Sequence, residues 1–320
     1  KVGGYLKGLE GMLFLDLDQL NMGGASSGMG KEFALQLSGY VKVDEIWVIA
    51  RRADALAALQ SQVSVPLKII PLDLSKTESF EAYRALLAAE TPNVKLLVNA
   101  AGFGKFGSFE KIPLEDEMKM VDLNCKALLA MTRLTLPYMT AGSHILQLDS
   151  LSAFQPVPYI TTYGATKALV LSYSRALNRE LKSRGIRCMA MNPGWVKTEF
   201  FNHACQTNSG NEVQYYNYLW EAADVVATGL KDLYRTKKDY SVHGLPIQLQ
   251  VLLVKFVPHR FVMSIWMHQQ KTAKNNKGLT KGPENEKTDQ YSPPALHHHC
   301  PFLYMSSFLF VYMYLWRYRH

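Results

Sequence analysis

From about residue 28 to residue 191 the chain alternates short apolar runs with longer stretches of helical periodicity, and that alternation leaves few folds open. The runs are Glu45–Ala50, Leu67–Ile70, Val94–Asn99, His144–Leu148 and Ile186–Met191. They are short for helices, and most lack the in-out polarity of a strand with one wet face, so they read as parallel strands covered on both sides. Helical patterns lie between them near 30–39, 53–62, 76–90, 114–139 and 162–184, and Ser75-Lys76-Thr77-Glu78 has the form of a capping box for the third. The expectation is a three-layer α/β/α sandwich around a mostly parallel, doubly wound sheet.

Beyond Met191 the pattern loosens. An aromatic-rich stretch runs to Trp220, a helix is expected near 221–235, and two apolar segments split by Pro258 suggest helices within 245–270. Residues 271–295 are polar and read as a disordered linker. Pro301–Trp316 is almost wholly apolar yet short of the roughly 20 residues that span a bilayer. It reads as lying outside the folded domain, the alternative being a membrane contact flanked by Arg317 and Arg319.

The net charge of +8 raises nucleic acid as a partner, but half of it belongs to residues 271–320, which hold 7 Lys and Arg against 3 Asp and Glu. The rest of the chain is near balance and has no basic run, so no nucleic-acid partner is expected. Four widely spaced cysteines without a CxxC pair exclude a disulfide framework and a cysteine zinc site. His297-His298-His299-Cys300 has ligand chemistry but no supporting pattern, and no metal is expected. With no basic-then-apolar leader in the first twenty residues, the reading is a cytoplasmic protein.

Chemistry concentrates in three places. Gly24, Ser26, Ser27, Gly28, Met29 and Gly30 lie where a strand would turn into a helix, and glycines there let backbone N–H groups approach a phosphate. Tyr163 and Lys167 are four residues apart, hence on one helix face, where an ammonium would favour the phenolate. Ser150 ends a strand thirteen residues before Tyr163, within reach of a substrate oxygen.

With these motifs the sequence resembles the short-chain dehydrogenase/reductase (SDR) family over roughly residues 24–200. The likeness lies in the glycine turn Gly24, Gly28 and Gly30, in Asn99-Ala100-Ala101-Gly102, in Asn124, in Ser150, Tyr163 and Lys167, and in Asp73-Leu74 and Pro193-Gly194-Trp195-Val196-Lys197-Thr198. The resemblance implies a Rossmann-type fold and a catalytic tetrad of Asn124, Ser150, Tyr163 and Lys167. It implies that Asp73 holds an adenine ring and Thr198 a nicotinamide carboxamide, with Leu74, Pro193, Gly194 and Val196 also at the cofactor. The reaction it implies is carbonyl reduction or its reverse, with Tyr163 as general acid or base. The closest alternatives are a 3-oxoacyl reductase of lipid metabolism and a non-catalytic NADP-binding regulatory protein.

Arg51 and Arg52 follow the second strand where an NAD-preferring relative usually carries an acid, and guanidinium suits a 2′-phosphate, so NADPH is expected over NAD. Trp195, Phe200, Phe201, Tyr215, Tyr216, Tyr218 and Trp220 fall in the substrate loop, about 195–220, and suggest an apolar or aromatic carbonyl or alcohol substrate. A homo-oligomer is expected from the resemblance. One departure stands out. The first strand should be an apolar run, whereas Leu15–Gly24 contains Asp16, Asp18 and Asn21, and each carboxylate buried unpaired would cost several kcal/mol. Residues 1–22 are therefore set apart as an atypical segment, or the strand is short and distorted, and the reductase domain is drawn over 23–270.

Overall fold

The computed structural model describes residues 10–16, 29–50, 59–198, 200, 204 and 212–279 of the 320. Seven strands form one all-parallel sheet: β1 (Glu10–Asp16), β2 (Glu45–Ala50), β3 (Leu67–Pro71), β4 (Asn93–Asn99), β5 (Met139–Leu148), β6 (Arg187–Met191) and β9 (Tyr240–Ser241). Their order is β3-β2-β1-β4-β5-β6-β9, so the winding reverses between β1 and β4. Two short strands, β7 (Trp195–Val196) and β8 (Leu219–Trp220), pair separately.

Side-chain alternation along the strands explains the two helical layers. Ile46, Val48, Leu96, Val98, Leu146, Leu148, Met189 and Met191 point to one face. There they meet Phe33 and Ala34 of α1 (Met29–Gln36) and Val226, Leu230 and Leu233 of α6 (Ala222–Arg235). Trp47, Ile49, Leu97, Ile145 and Cys188 point to the other, against Phe80, Tyr83 and Leu87 of α2 (Thr77–Glu90) and Met131 of α4 (Leu128–Thr135). A strand flanked by apolar neighbours on both sides must itself be apolar throughout, which is why these runs were legible. Gly229 lets α6 lie close on β6, since a Cβ there would overlap Met191 Sδ.

The remaining helices are α3 (Leu114–Val121), joined to α4 by a π turn over Asp122–Ala127, then α5 (Thr161–Glu180), α7 (Leu245–Val254) and α8 (His259–Leu279).

Three expectations need correction, and others fall on residues that are not described. The central strand exists but lies earlier than the acidic stretch suggested: β1 uses Met12-Leu13-Phe14-Leu15 and ends at Asp16, pairing with β2 and β4. The segment 1–22 therefore contains part of the sheet. Helix α8 continues through 271–279, where a linker was expected, because no proline or glycine interrupts it before Gly278. The capping box does not form: the residue ahead of α2 is Lys76, while Ser75 donates its N–H and O–H to Asp73 Oδ1 at 3.1 and 2.6 Å. The expected helix at 53–62 is described only at Leu59 and Gln60, and the tail from 280 onward, with the His297–Cys300 cluster, lies outside the described residues.

Candidate active site

In open parallel sheets ligands sit beyond the C-terminal strand ends, at the point where the winding reverses. Here that is the end of β1 and β4, and the ends of β5 and β6 follow alongside. Asn99, Ala100, Ala101 and Gly102 leave β4, Asp149 and Ser150 leave β5, and Asn192-Pro193-Gly194 leaves β6. The chain crosses from one strand end to the next through backbone hydrogen bonds: Asp149 N–H to the Met191 carbonyl (2.7 Å) and Leu151 N–H to that of Pro193 (3.0 Å).

Ser150 starts a short 3₁₀ turn, and its Oγ accepts from Ser152 N–H (3.2 Å) and Ser152 Oγ–H (3.1 Å). With its lone pairs so engaged, the Ser150 hydroxyl proton is left to donate. Tyr163 is 8% exposed on the first turns of α5. Lys167, one turn on, is 3% exposed, donates to the Leu148 carbonyl at 2.8 Å and lies 5.6 Å from the Tyr163 ring centre. One of its three N–H donors is used there, and two are left for other partners.

Asn124 sits inside the π turn and is 1% exposed. Its amide accepts from Phe103 N–H (2.9 Å) and donates to the Phe103 carbonyl (2.9 Å) and Thr166 Oγ1 (3.0 Å), clamping the loop after β4 to α5. A Cβ on Gly102 would lie 2.8 Å from Asn124 Oδ1 and 3.7 Å from Lys167 Nζ. Glycine is what lets that loop pass so close to Asn124. All four tetrad residues expected from the sequence are thus brought to one corner.

The electrostatics depart from the sequence expectation. Burial pushes the Tyr163 phenol well above its ordinary value, the hydrogen bond with Ser150 works against that, and the Asp149 carboxyl adds to the rise. Where the sequence predicts a phenol lowered by Lys167, the balance of these effects stands on the raised side. Burial lowers the lysine's own pKa, and its strongest favourable charge partner is Asp149. Asp149, 2% exposed, is raised well above the carboxylate range by burial; Lys167 and the 2.5 Å hydrogen bond from Asn192 Nδ2 oppose that rise. Sequence reading passed over Asp149 because the residue before Ser150 carried no motif of its own.

The cofactor expectations divide. Met29 is buried in the core and Gly30 stands in the first turn of α1, while Gly24, Ser26, Ser27, Gly28, Arg51 and Arg52 lie outside the described residues. Asn99 does not face outward: its Nδ2 donates to Thr132 Oγ1 (2.9 Å) and Gln147 Oε1 (2.8 Å), bracing β4 against α4. The Leu74 side chain is fully buried in the core, so only its backbone is available to a ligand. Asp73 keeps Oδ2 beyond its bonds to Ser75. Val196 is buried on the sheet and Thr198 is half-buried at the mouth.

Beside Tyr163 the chain packs an aromatic wall. Tyr163 lies 5.6 Å from Phe200 and 6.0 Å from Phe106, ring centre to ring centre, and Phe106 lies 6.1 Å from Trp195. Trp195 in turn meets Tyr216 edge-on and stacks at 6.4 Å on Trp266 of α8, whose Nε1 donates to the Pro158 carbonyl at 3.0 Å. Tyr159 has φ 67°, a conformation that costs a non-glycine residue about 1–2 kcal/mol, and its carbonyl accepts from Gly107 N–H at 2.8 Å. The bend delivers Ile160 and Tyr163 to the wall.

Of the aromatic residues singled out in the sequence, Trp195, Phe200 and Tyr216 belong to this wall. Tyr218 and Trp220 stack on each other and face His243 instead. Phe201 lies outside the described residues. Phe106 and Trp266 were missed, since nothing local marks an aromatic residue whose ring partners lie more than fifty positions away. Gln270 ties the substrate loop to α8 by accepting from Gln214 and Tyr215 N–H. Among the described residues no His, Cys, Asp and Glu cluster could hold a metal, and no helix is long and apolar enough to cross a membrane.

A parallel sheet wound in this order, with serine, tyrosine and lysine at its C-terminal edge, defines a nucleotide-type α/β oxidoreductase. The short chain dehydrogenase family matches residues 22–209, and the chain belongs to that family. It is 34% identical over 170 residues to the NADP-dependent 3-hydroxy acid dehydrogenase YdfG of Escherichia coli O6:H1, covering 52% of this chain and 68% of that one. It is 33% identical over 186 residues to the very-long-chain 3-oxoacyl-CoA reductase of Bos taurus, covering 55% of this chain and 58% of that one. A short-chain dehydrogenase from Sphingobium yanoikuyae, solved in complex with NADPH, shares the fold with a TM-score of 0.62 at 21% identity, covering 88% of this chain and 99% of that chain.

Proposed function

We propose that the protein reduces an apolar or aromatic ketone or aldehyde to the alcohol with NADPH, the reverse oxidation using the same groups. The observation that carries this reading is the convergence of Ser150, Tyr163 and Lys167 at one strand end, with the phenol held protonated. NADPH, when bound, supplies the hydride. The Ser150 hydroxyl donates to the carbonyl oxygen, and Tyr163 delivers the proton as charge develops there. Lys167, fixed by the Leu148 carbonyl, has two donors left for Tyr163 and for a ribose hydroxyl. Asn124 fixes the loop and helix that carry these groups.

Ala100, Ala101, Gly102, Pro193, Gly194 and Thr198 fit a nicotinamide cofactor, since they follow the C-terminal ends of β4 and β6. Arg51 and Arg52 are proposed to select the 2′-phosphate. A 3-oxoacyl substrate is the second reading, supported by the bovine relative's activity and by the apolar wall. Leu114, Met118 and Val121, exposed on one face of α3, together with Leu169 of α5 suit a contact between copies. Buried free Cys125 and Cys188 suit a reducing, cytoplasmic setting.

The test is oxidation of NADPH, and of NADH in parallel, over aliphatic, aryl, steroid and 3-oxoacyl carbonyls. Turnover with at least one class and preference for NADPH is expected. Tight NADPH binding with no turnover on any would favour the regulatory reading instead.

A further inference from the structure

Helix α7 is apolar on both sides, and only one side is covered. Ile247, Val251 and Val254 are buried, packing with Leu151 and Phe154 in the turn that follows Ser150. Leu245, Leu249, Leu252 and Phe256 occupy the opposite stripe at 77%, 47%, 50% and 78% exposure. The spacing is i, i+4, i+7, i+11, so these four side chains form one continuous ridge. A shallow cleft lined by Phe154, Val254, Phe256, Pro258 and His259 opens beside it.

Within the segment that carries the ridge, charge is of one sign, and Asp239 just before it is paired with Arg175 at 2.7 Å. No Asp or Glu occurs from residue 240 to residue 283, a stretch that holds six Lys and Arg. Lys255 and Arg260 stand exposed at the C-terminal end of the ridge, with Lys255 Nζ donating to Tyr240 OH and Arg260 lying over Phe261. An apolar ridge with a net cationic rim, its neighbouring Asp239 already paired with Arg175, suits an occupant that is apolar within and anionic at its surface.

We infer that this face docks on an anionic lipid surface, with Leu245, Leu249, Leu252 and Phe256 entering the headgroup region and Lys255 and Arg260 meeting the lipid phosphates. Two other occupants fit less well. A second copy would meet this face with the same face under two-fold symmetry, setting cation against cation. The chain's own apolar tail carries Arg317 and Arg319 and no acid after Asp289, so it offers nothing to the basic rim. Docking through α7 would hold the lipid one helix diameter, about 10 Å, from the turn that bears Ser150. The inference stands apart from the substrate reading, because the ridge shares no residue with the aromatic wall.

The test is sedimentation of the full chain with phosphatidylcholine vesicles, with and without phosphatidylserine. Three variants separate the sources of binding: Leu249→Ser with Leu252→Ser and Phe256→Ser; Lys255→Glu with Arg260→Glu; and, in the tail, Phe308→Ser with Leu309→Ser and Phe310→Ser. Wild type is expected to bind the anionic vesicles at least about tenfold more tightly than the neutral ones, and to weaken as salt rises. The ridge and charge variants lose that preference and the tail variant keeps it, while all retain the wild-type unfolding temperature within a few degrees. The inference is overturned if wild type ignores anionic vesicles, or if the tail variant alone loses binding. It is equally overturned if the ridge variant only dissociates an oligomer. Should the ridge variant fail to fold, the charge variant decides.

Discussion

At the scale of single residues, the site is governed by how much each ionisable group loses on leaving water. Tyr163→Phe keeps the ring in its aromatic wall and removes only the proton donor. Turnover should fall by roughly 10² to 10⁴ with NADPH affinity unchanged, as read from steady-state kinetics beside a binding titration. Asp149 acts at one remove. Its carboxyl raises the phenol's pKa, so Asp149→Asn, which keeps an acceptor for Asn192, should ease ionisation of Tyr163. The acid limb of the alcohol-oxidation profile would then move to lower pH. A profile unmoved by the change would mean that the carboxyl does not act on Tyr163. Ser150, Tyr163 and Lys167 were legible because their spacing is local to one strand end and one helix, while Asn124, in the π turn, was reached only through the family resemblance. Sequence reading overlooked Asp149, Phe106 and Trp266 because their roles depend on which distant segments are folded against them.

At the scale of elements, two contacts carry predictions. His144 near the end of β5 lies 4.5 Å from the Tyr234 ring and beside Arg187, and burial together with that guanidinium depresses its pKa from 6.5 to about 4. A base depressed in the folded state stays neutral there while the unfolded chain takes up a proton. Stability is therefore full above pH 6.5 and falls as the pH drops toward 4, by about 1–2 kcal/mol after discounting for partial exposure. His144→Phe should remove that component, measured as a smaller change in urea midpoint between pH 7 and pH 4.5. Gly229→Ala would drive a methyl group into Met191 and force α6 off β6, at a cost of about 1–3 kcal/mol in the same assay. Strands β2 to β6 were legible because burial on both faces demands unbroken apolar runs. β1 was placed too late because Asp16 and Asp18 drew attention away from Met12–Leu15, and the helical 271–279 was mistaken for linker because its polar residues are also fair helix formers.

For the whole molecule, the exposed stripe on α3 with Leu169 is the surface proposed for self-association. Leu114→Glu with Met118→Glu and Leu169→Glu should give a smaller particle in sedimentation velocity while each chain keeps its unfolding temperature. An unchanged particle would remove that surface from consideration. The basic ridge on α7 lies on other helices, so assembly and lipid docking can be perturbed one at a time.

The strand order also sets a timetable. β1 is the first strand of this sheet in chain order, yet one of its two partners, β4, is separated from it by more than seventy residues of chain. On a ribosome the first strand must therefore wait through the synthesis of α1, β2, β3 and α2 before its second edge can be covered. Its apolar run Met12–Leu15 stays unfinished for that interval, open to chaperones and to other unfinished chains. Such non-local closure slows refolding and makes it concentration-sensitive. Expression yield of this protein should then respond more to anything that shields nascent β1 than to changes after β4.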